Sequence, residues 1–433
     1  MKRRLLSTVA LAAALGVALS ISAGGAPSAN NRATATTLTV WLQVDAQKSW
    51  PGAVADANRA FKAQHPDVDV DVQYQLWTEH LTKLDAAIAG NNAPDVAEMG
   101  NTEMMKYMAA GAFADLTSAK GRFPNSKTWL KGLEGDGTYR GKLYGVPYYA
   151  GARAVIYRKD YFRQAGIAKV PRTLDQFVAA GQKLVKRFGR QRGFSAHYFP
   201  GMNWHAGLMF VYDYGGEIAV RKGGKWQGTL DSPQAIQGLT KLKSVIRPLS
   251  RASKTTDEAH PFPSIPFARG RVASFIGNGW ELPYTLDEKV GNPALKPVMA
   301  AFPMPSHIKG RTMPTLLGGS NLAVPITSRN RSLAIDWIRA FTASDNQRQV
   351  AAAGNIANTT TLLGANKGRP FVAPFEKAAK YSWSVPSDPN WTNVEKAKVL
   401  ETMLSRIFTG RASVKSAAQK ASKEISDILN SGR

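Results

Sequence analysis

Leu38-Thr39-Val40-Trp41-Leu42, Val68-Asp69-Val70-Asp71-Val72 and Asp95-Val96-Ala97-Glu98-Met99 are three short extended runs, and the segments between them decide the fold. Ala53 to Gln64 sets Val54, Ala57, Ala60 and Phe61 on one face at helical spacing, and His65-Pro66 ends that helix. A second helix is expected from Thr78 to Ala89, with Leu81, Leu84 and Ile88 inward, before Gly90 to Pro94 turns the chain. In the middle run valines alternate with aspartates, the pattern of a half-exposed edge strand. This βαβαβ alternation predicts an α/β fold with a doubly wound sheet, whose ligands lie beyond the carboxyl ends of the strands.

Working outward, Thr102 is expected to cap a helix, and Gly135-Asp136-Gly137 reads as a turn. Thr173 caps a helix from Leu174 to Phe188, Ser232-Pro233 opens one reaching Ile246, and Ser413 caps the last. One further helix is expected from Trp391 to Thr409-Gly410. The stretch Phe275-Ile276-Gly277-Asn278-Gly279-Trp280 has a different character. Its glycines permit close backbone approach, the indole offers a flat apolar face with one donor, and Asn278 offers both a donor and an acceptor. That combination suits a sugar ring, with its apolar C–H faces and hydroxyl rim.

The 433 residues are enough for two or three domains, and their formal net charge is +25. The charge is uneven: Trp41 to Ser118 is near −6, so the positive excess lies in the remainder. A strong basic field favours polyanions, including an anionic cell envelope. Lys2-Arg3-Arg4 followed by the apolar Leu5 to Leu19 reads as a cleaved signal peptide, with residues 1–29 as signal and disordered start. The chain has no cysteine, which removes disulfides, thiolate metal sites and an N-terminal lipidation cysteine. The six histidines show no metal-ligand spacing, so no metal or cofactor is expected.

Several strings in order resemble one family. They are Leu38 to Leu42, Phe61-Lys62-Ala63-Gln64-His65-Pro66, Gly90 to Val96, Leu143 to Tyr148, Val155 to Asp160, Pro171 to Phe177, Phe267 to Ala273 leading into Gly277 to Trp280, and Gly318 to Val324. Together they resemble the extracellular solute-binding proteins of ATP-binding-cassette carbohydrate importers, the maltose-binding-protein-like group. The resemblance implies a two-lobed periplasmic-binding-protein fold of type II, with discontinuous lobes joined by hinge crossings. The first lobe would hold 38–148 plus about 324–372, and the second about 152–320 plus 376–430.

The resemblance also implies a secreted, extracytoplasmic protein, and the missing cysteine implies one without a lipid anchor. It would bind a mono- or oligosaccharide between the lobes and close by hinge motion onto ABC permease subunits. Trp280 matches the family's stacking tryptophan, with Asn278 and Gly279 beside it. Trp41, Gln43 and Asp45 follow the first strand, and Asn101 and Glu103 follow the third. Tyr148, Arg153, Gly319 and Ser320 sit at crossings, Trp204 is a candidate second platform, and one of Trp383 and Trp391, not both, is expected to contact the ligand. Trp50, Trp77, Trp129 and Trp226 carry no signal, and Trp337 reads as core.

Two other readings compete. A glycosidase needs two carboxylates across one bond, and Glu281 with Asp45 or Glu103 opposite could supply them. A secreted polyanion- or cell-wall-binding protein would use the basic runs such as Lys183 to Arg192, although these are mostly helical or turn-like where a nucleic-acid module interleaves bases with aromatics on one surface, so no specific nucleic acid is expected.

Overall fold

The computed structural model describes residues 36–432; the expected signal peptide lies outside the described residues. Nine strands build the two principal sheets. They are β1 (Thr36–Gln43), β2 (Val68–Gln75), β3 (Val96–Gly100), β4 (Gly145–Gly151), β5 (Ala154–Arg158), β6 (Ser274–Gly277), β7 (Met299–Phe302), β8 (Gly318–Ala323) and β9 (Ile356–Ala357). The first sheet has six strands in the order β9-β4-β8-β3-β1-β2, and the second has three in the order β6-β5-β7.

β1 pairs in parallel with β2 on one side and β3 on the other. The first crossover therefore runs outward from β1 to β2 and the second returns from β2 past β1 to β3, so the loops after β1 and β3 part over a crevice. β8 then adds antiparallel to β3 and to β4. β2 is the edge strand its alternation requires, with half-buried valines and exposed aspartates. Helix Pro51–Gln64 packs Ala53, Val54, Ala57 and Phe61 inward and starts on a proline, whose missing N–H costs nothing in a first turn. Its partners in the first core include Leu38, Val40, Trp129, Tyr148 and the fully buried Trp337. Each apolar side chain sealed there contributes about 1.5–3 kcal/mol.

The second sheet is antiparallel about β5 and is covered by helices Leu174–Phe188, Trp204–Asp213 and Pro233–Ile246. Their starts follow the capping chemistry of the sequence. Thr173, Asn203 and Ser232 accept from the amides of Gln176, Ala206 and Ala235. The chain passes between the sheets at Ala152-Arg153, which joins β4 to β5, and again just before β8. It passes a third time after β9, on the way to Ser382–Trp383, which pairs with Thr315–Leu316.

Several local expectations are corrected. Thr102 caps nothing: helix Met104–Ala109 starts from Glu103 without a side-chain cap. Gly135-Asp136 ends a short helix, Lys131–Asp136, instead of forming a free turn. The single helix expected from Trp391 to Thr409 is two, Trp391–Lys396 and Val399–Thr409, broken where Lys398 adopts φ +51°. No Gly or Pro marks that break, so local propensity does not reveal it.

The glycines of the Gly277–Trp280 stretch do permit close approach, but to backbone. A Cβ on Gly279 would lie 1.7 Å from the carbonyl oxygen of Gly354, at the end of helix Ser344–Ala352. Both partners are main chain, so neither yields cheaply. Gly279→Ala is expected to lower folding stability by about 1–3 kcal/mol, read as a fall in the thermal unfolding midpoint. A midpoint equal to the parent's would mean that the approach is not held in solution.

Candidate functional site

The carboxyl ends of β1, β2 and β3 deliver Asp45, Trp77 and the Gly100–Glu103 turn to one place. Asp45 is buried, and its Oδ2 accepts from the Trp77 indole N–H at 2.6 Å. Its other oxygen accepts from the Tyr284 hydroxyl at 3.4 Å, and Tyr284 follows β6 of the second sheet. Lys48 sits 4.6 Å over the Tyr284 ring, so this corner joins the two halves through a charge-assisted aromatic contact. Burial raises the Asp45 carboxyl above its usual range, against the hydrogen bonds from Trp77 and Tyr284.

Trp77 is held from behind. Its ring meets His80 edge-on at 5.1 Å, and its carbonyl lies 2.9 Å from His80 Nδ1. His80 Nε2 lies 2.9 Å from Glu103 Oε2, which also accepts from the Gly100 amide. Glu103 therefore positions His80, and His80 positions Trp77, whose own surface remains 37% exposed. On the opposite side Trp280 packs edge-on against Phe262 at 5.4 Å and Tyr284 at 5.9 Å. Oriented to satisfy both ends, the Asn278 amide donates to Ala152 O at 3.1 Å and accepts from the Trp280 indole at 3.2 Å. The indole is thereby tied to the crossing between β4 and β5.

Farther along the boundary, Asn101 donates to Asp136 at 2.8 Å and to the Leu317 carbonyl at 2.9 Å. These residues border a hollow of about 70 Å³, closed on the far side by Ser384–Ser387 after Trp383. Burial lifts Asp136 to about 6. The second half adds Arg153, Glu258 and His205. Arg153 Nη2 and His205 Nδ1 lie 2.7 and 2.8 Å from Glu258 Oε1, and the Trp204 ring stacks on His205 at 3.9 Å. Burial alone would raise Glu258, but the two bases hold it well below the carboxylate range.

Aromatic faces, buried carboxylates and amide donors converging on a crevice between two α/β bodies describe a binding cleft for a polar, ring-shaped solute. The chain matches the family described as bacterial extracellular solute-binding protein over residues 41–348. It is also 30% identical over 429 residues, 97% of both chains, to the diacetylchitobiose binding protein DasA of Streptomyces coelicolor. The chain belongs to the bacterial extracellular solute-binding protein family. A lactose-binding protein of Rhizobium radiobacter is 25% identical over 338 residues, 74% of each chain. Among solved structures, the GacH receptor of Streptomyces glaucescens superposes with a TM-score of 0.77 at 18% identity, over 92% of this chain and 100% of that one. A Thermotoga lettingae solute-binding protein bound with α-D-tagatose gives 0.77 at 21%, over 91% and 100%. At such identities these structures speak for the fold, the two-lobed α/β architecture with an interlobe cleft.

Within the solute-binding protein, the sequence candidates divide. Gln43, Asp45, Asn101, Glu103, Gly319 and Ser320 come together at the strand ends of the first lobe. There the Gln43 amide donates to Glu98 Oε2 at 2.8 Å, and Asn101 N donates to Gly319 O at 3.0 Å. Asn278 and Trp280 lie together at the crossing and the start of the second lobe, whereas Gly279 packs on the Gly354 backbone and Arg153 is buried on Glu258. Trp41 does not join: its side chain leaves β1 toward the edge, its indole on Gln73 at 2.9 Å. Tyr148 is fully buried in the first core with its hydroxyl on the Trp50 indole, because β4 is covered on both faces. Trp204, Trp383 and Trp391 are 5%, 6% and 1% exposed, sharing the second core with Tyr212, so they pack where platforms were expected. Glu281, the acid weighed for hydrolysis, is buried against the Ser264 amide at 3.3 Å, and burial lifts it to about 8.

Trp77, Tyr284, His205, Glu258 and Asp136 were missed. Trp77 stands just past the edge strand in the polar run Leu76-Trp77-Thr78-Glu79-His80. A large apolar residue in a polar turn is the signal that could have found it.

A second carboxylate sits where the lobes meet. Trp391 Nε1 donates to Glu395 Oε1 at 2.8 Å, and Lys396 beside it lies 3.8 Å from Asp85 of the first lobe. Burial, then the Glu103 carboxylate, lifts Glu395 to about 8, with the Trp391 and Thr102 hydrogen bonds opposing. A carboxyl raised on closure binds more protons closed than open. Its contribution is full below the ordinary glutamate range and is lost as pH rises toward 8, by at most about 1.4 kcal/mol per pH unit. The ligand-free solute-binding protein is therefore expected to open between pH 5 and 8, as an increasing radius of gyration in small-angle scattering. Glu395→Gln should flatten that dependence; an unchanged dependence would place its origin elsewhere.

Proposed function

We propose that this chain is the extracytoplasmic solute-binding component of an ABC importer. It binds a sugar or short oligosaccharide reversibly in the interlobe cleft and presents the closed form to the permease. The observation that carries this reading is the similarity to a diacetylchitobiose binding protein across nearly the whole chain. In the cleft, Trp77 and Trp280 are the two platforms, one from each lobe, and Asp45 is the acceptor between them. The bond between Tyr284 and Asp45 occupies a position that a sugar hydroxyl takes over on binding, which lets the empty cleft close without leaving a buried carboxylate unpaired. Asn101 and Asp136 recognise the far end of the ligand. An N-acetylated amino disaccharide is the first candidate, and a lactose-like disaccharide the second. The leader is cleaved on export.

The test is a thermal-shift and tryptophan-fluorescence screen over N,N′-diacetylchitobiose, lactose and arabino-oligosaccharides, with recovery of the sugar afterwards. Saturable binding with intact sugar supports the reading. Cleaved sugar would make the protein a hydrolase, and no response from any sugar would overturn the assignment.

A further inference from the structure

The positive excess of the chain has a structural focus outside the cleft. Helices Lys159–Gln164 and Leu174–Phe188 are joined by an extended loop, and beside that loop lie two contiguous hollows of about 420 Å³ each, sharing Ile167, Lys169 and Val170. Their walls carry Lys159, Arg163, Lys169, Arg172 and Lys183, all exposed, and no acidic residue. Among the described residues none of these five is in an ion pair; the neighbouring Arg158 and Asp160 are closed on each other at 2.6 Å. The floor is apolar, from Ile167, Val170 and Pro171. Asp175, in the first turn of the longer helix, is the nearby acid that such a ligand must avoid.

We infer that this groove docks a linear polyol-phosphate segment of the kind found in anionic cell-envelope polymers, holding the binding protein at the envelope while the cleft works. Three features select that partner. Unpaired cations spaced along a trough match phosphates spaced along a chain, and the apolar floor matches the carbon links between them. The concavity disfavours a flat lipid surface, which would reach only the rim. The aromatic residues of the wall, Tyr157 and Phe162, are buried at 9% and 4% exposure, so no ring is offered to stack a nucleobase. The groove shares no residue with the cleft, and the inference stands whichever sugar is bound.

The experiment measures binding of the mature protein to lipid-free poly(glycerol phosphate) at low salt. Inorganic phosphate, oligothymidylate of matched charge and phosphatidylglycerol vesicles serve as comparison probes. The polymer is expected to bind best, and high salt to release it. Lys169→Glu with Arg172→Glu should weaken polymer binding about tenfold or more, while Lys222→Glu with Lys225→Glu, on an exposed hairpin elsewhere, changes it less than about threefold. Lys169→Gln with Arg172→Gln should give an intermediate loss, and all three double variants should melt with the parent. Equal losses for groove and hairpin variants would reduce the effect to diffuse net charge and overturn the proposal. It is also overturned if the parent does not bind the polymer, or if vesicles or oligothymidylate bind the groove as tightly.

Discussion

Trp280→Ala is expected to weaken sugar binding by about 2–4 kcal/mol, roughly 30-fold to 1,000-fold in Kd, with little change in folding stability. The asymmetry follows from where the ring sits. Trp280 is half-buried, meets Phe262 and Tyr284 by its edges, and contributes less to the folded core than to the wall of the cleft. Removing it deletes a stacking face and also frees Tyr284, the partner that reaches Asp45 across the cleft. Trp77→Ala should weaken binding comparably if the two indoles act as facing platforms, and titration calorimetry on both variants checks this. A Trp280→Ala variant with parental affinity would move the site away from this wall.

Arg153→Ala is expected to lose about 1–3 kcal/mol of folding stability, because it removes the guanidinium partner of the partly exposed Glu258 and leaves His205 as the one base beside it. Arg153 is 5% exposed, lies in the crossing between β4 and β5, and ties its own amide to the Thr315 hydroxyl at 3.0 Å, so the damage falls on the joint between the lobes. The pH dependence has a definite sign. Glu258 is depressed in the folded state, so its contribution is present above the ordinary glutamate pKa and fades as pH falls below it. The gap between parent and variant should therefore narrow below about pH 4, measured by denaturant unfolding. A gap that widens on acidification would contradict the ion-pair account.

The parts of the fold visible in the sequence are those with a local period. The valine–aspartate alternation of β2, the buried stripe of helix Pro51–Gln64, and the caps Thr173, Ser232 and Ser413 all rest on contacts within a few residues. The site depends on contacts that no period encodes. Asp45 meets Trp77 from the loop after β2, and Tyr284 from beyond β6, a separation of 239 residues. Aromatic content was a poor guide for a related reason. A tryptophan marks a large buried area equally well in a core or a cleft. Trp383 and Trp391 pack their rings on Trp204 in the second core, while the unremarked Trp77 stayed exposed. Gly279 was legible as a place of close approach, but the sequence could not say that the approaching atom is the carbonyl of Gly354.

The most direct test of a sugar cleft closed by Asp45 is paired titration calorimetry and small-angle scattering on the parent protein and Asp45→Asn, with the sugar identified by the thermal screen. The parent should bind one sugar per chain, contract on binding and return the sugar unchanged. Asp45→Asn should bind at least about tenfold more weakly, as expected for losing a charge-assisted acceptor. Parental affinity in Asp45→Asn, or binding without contraction, would contradict the account.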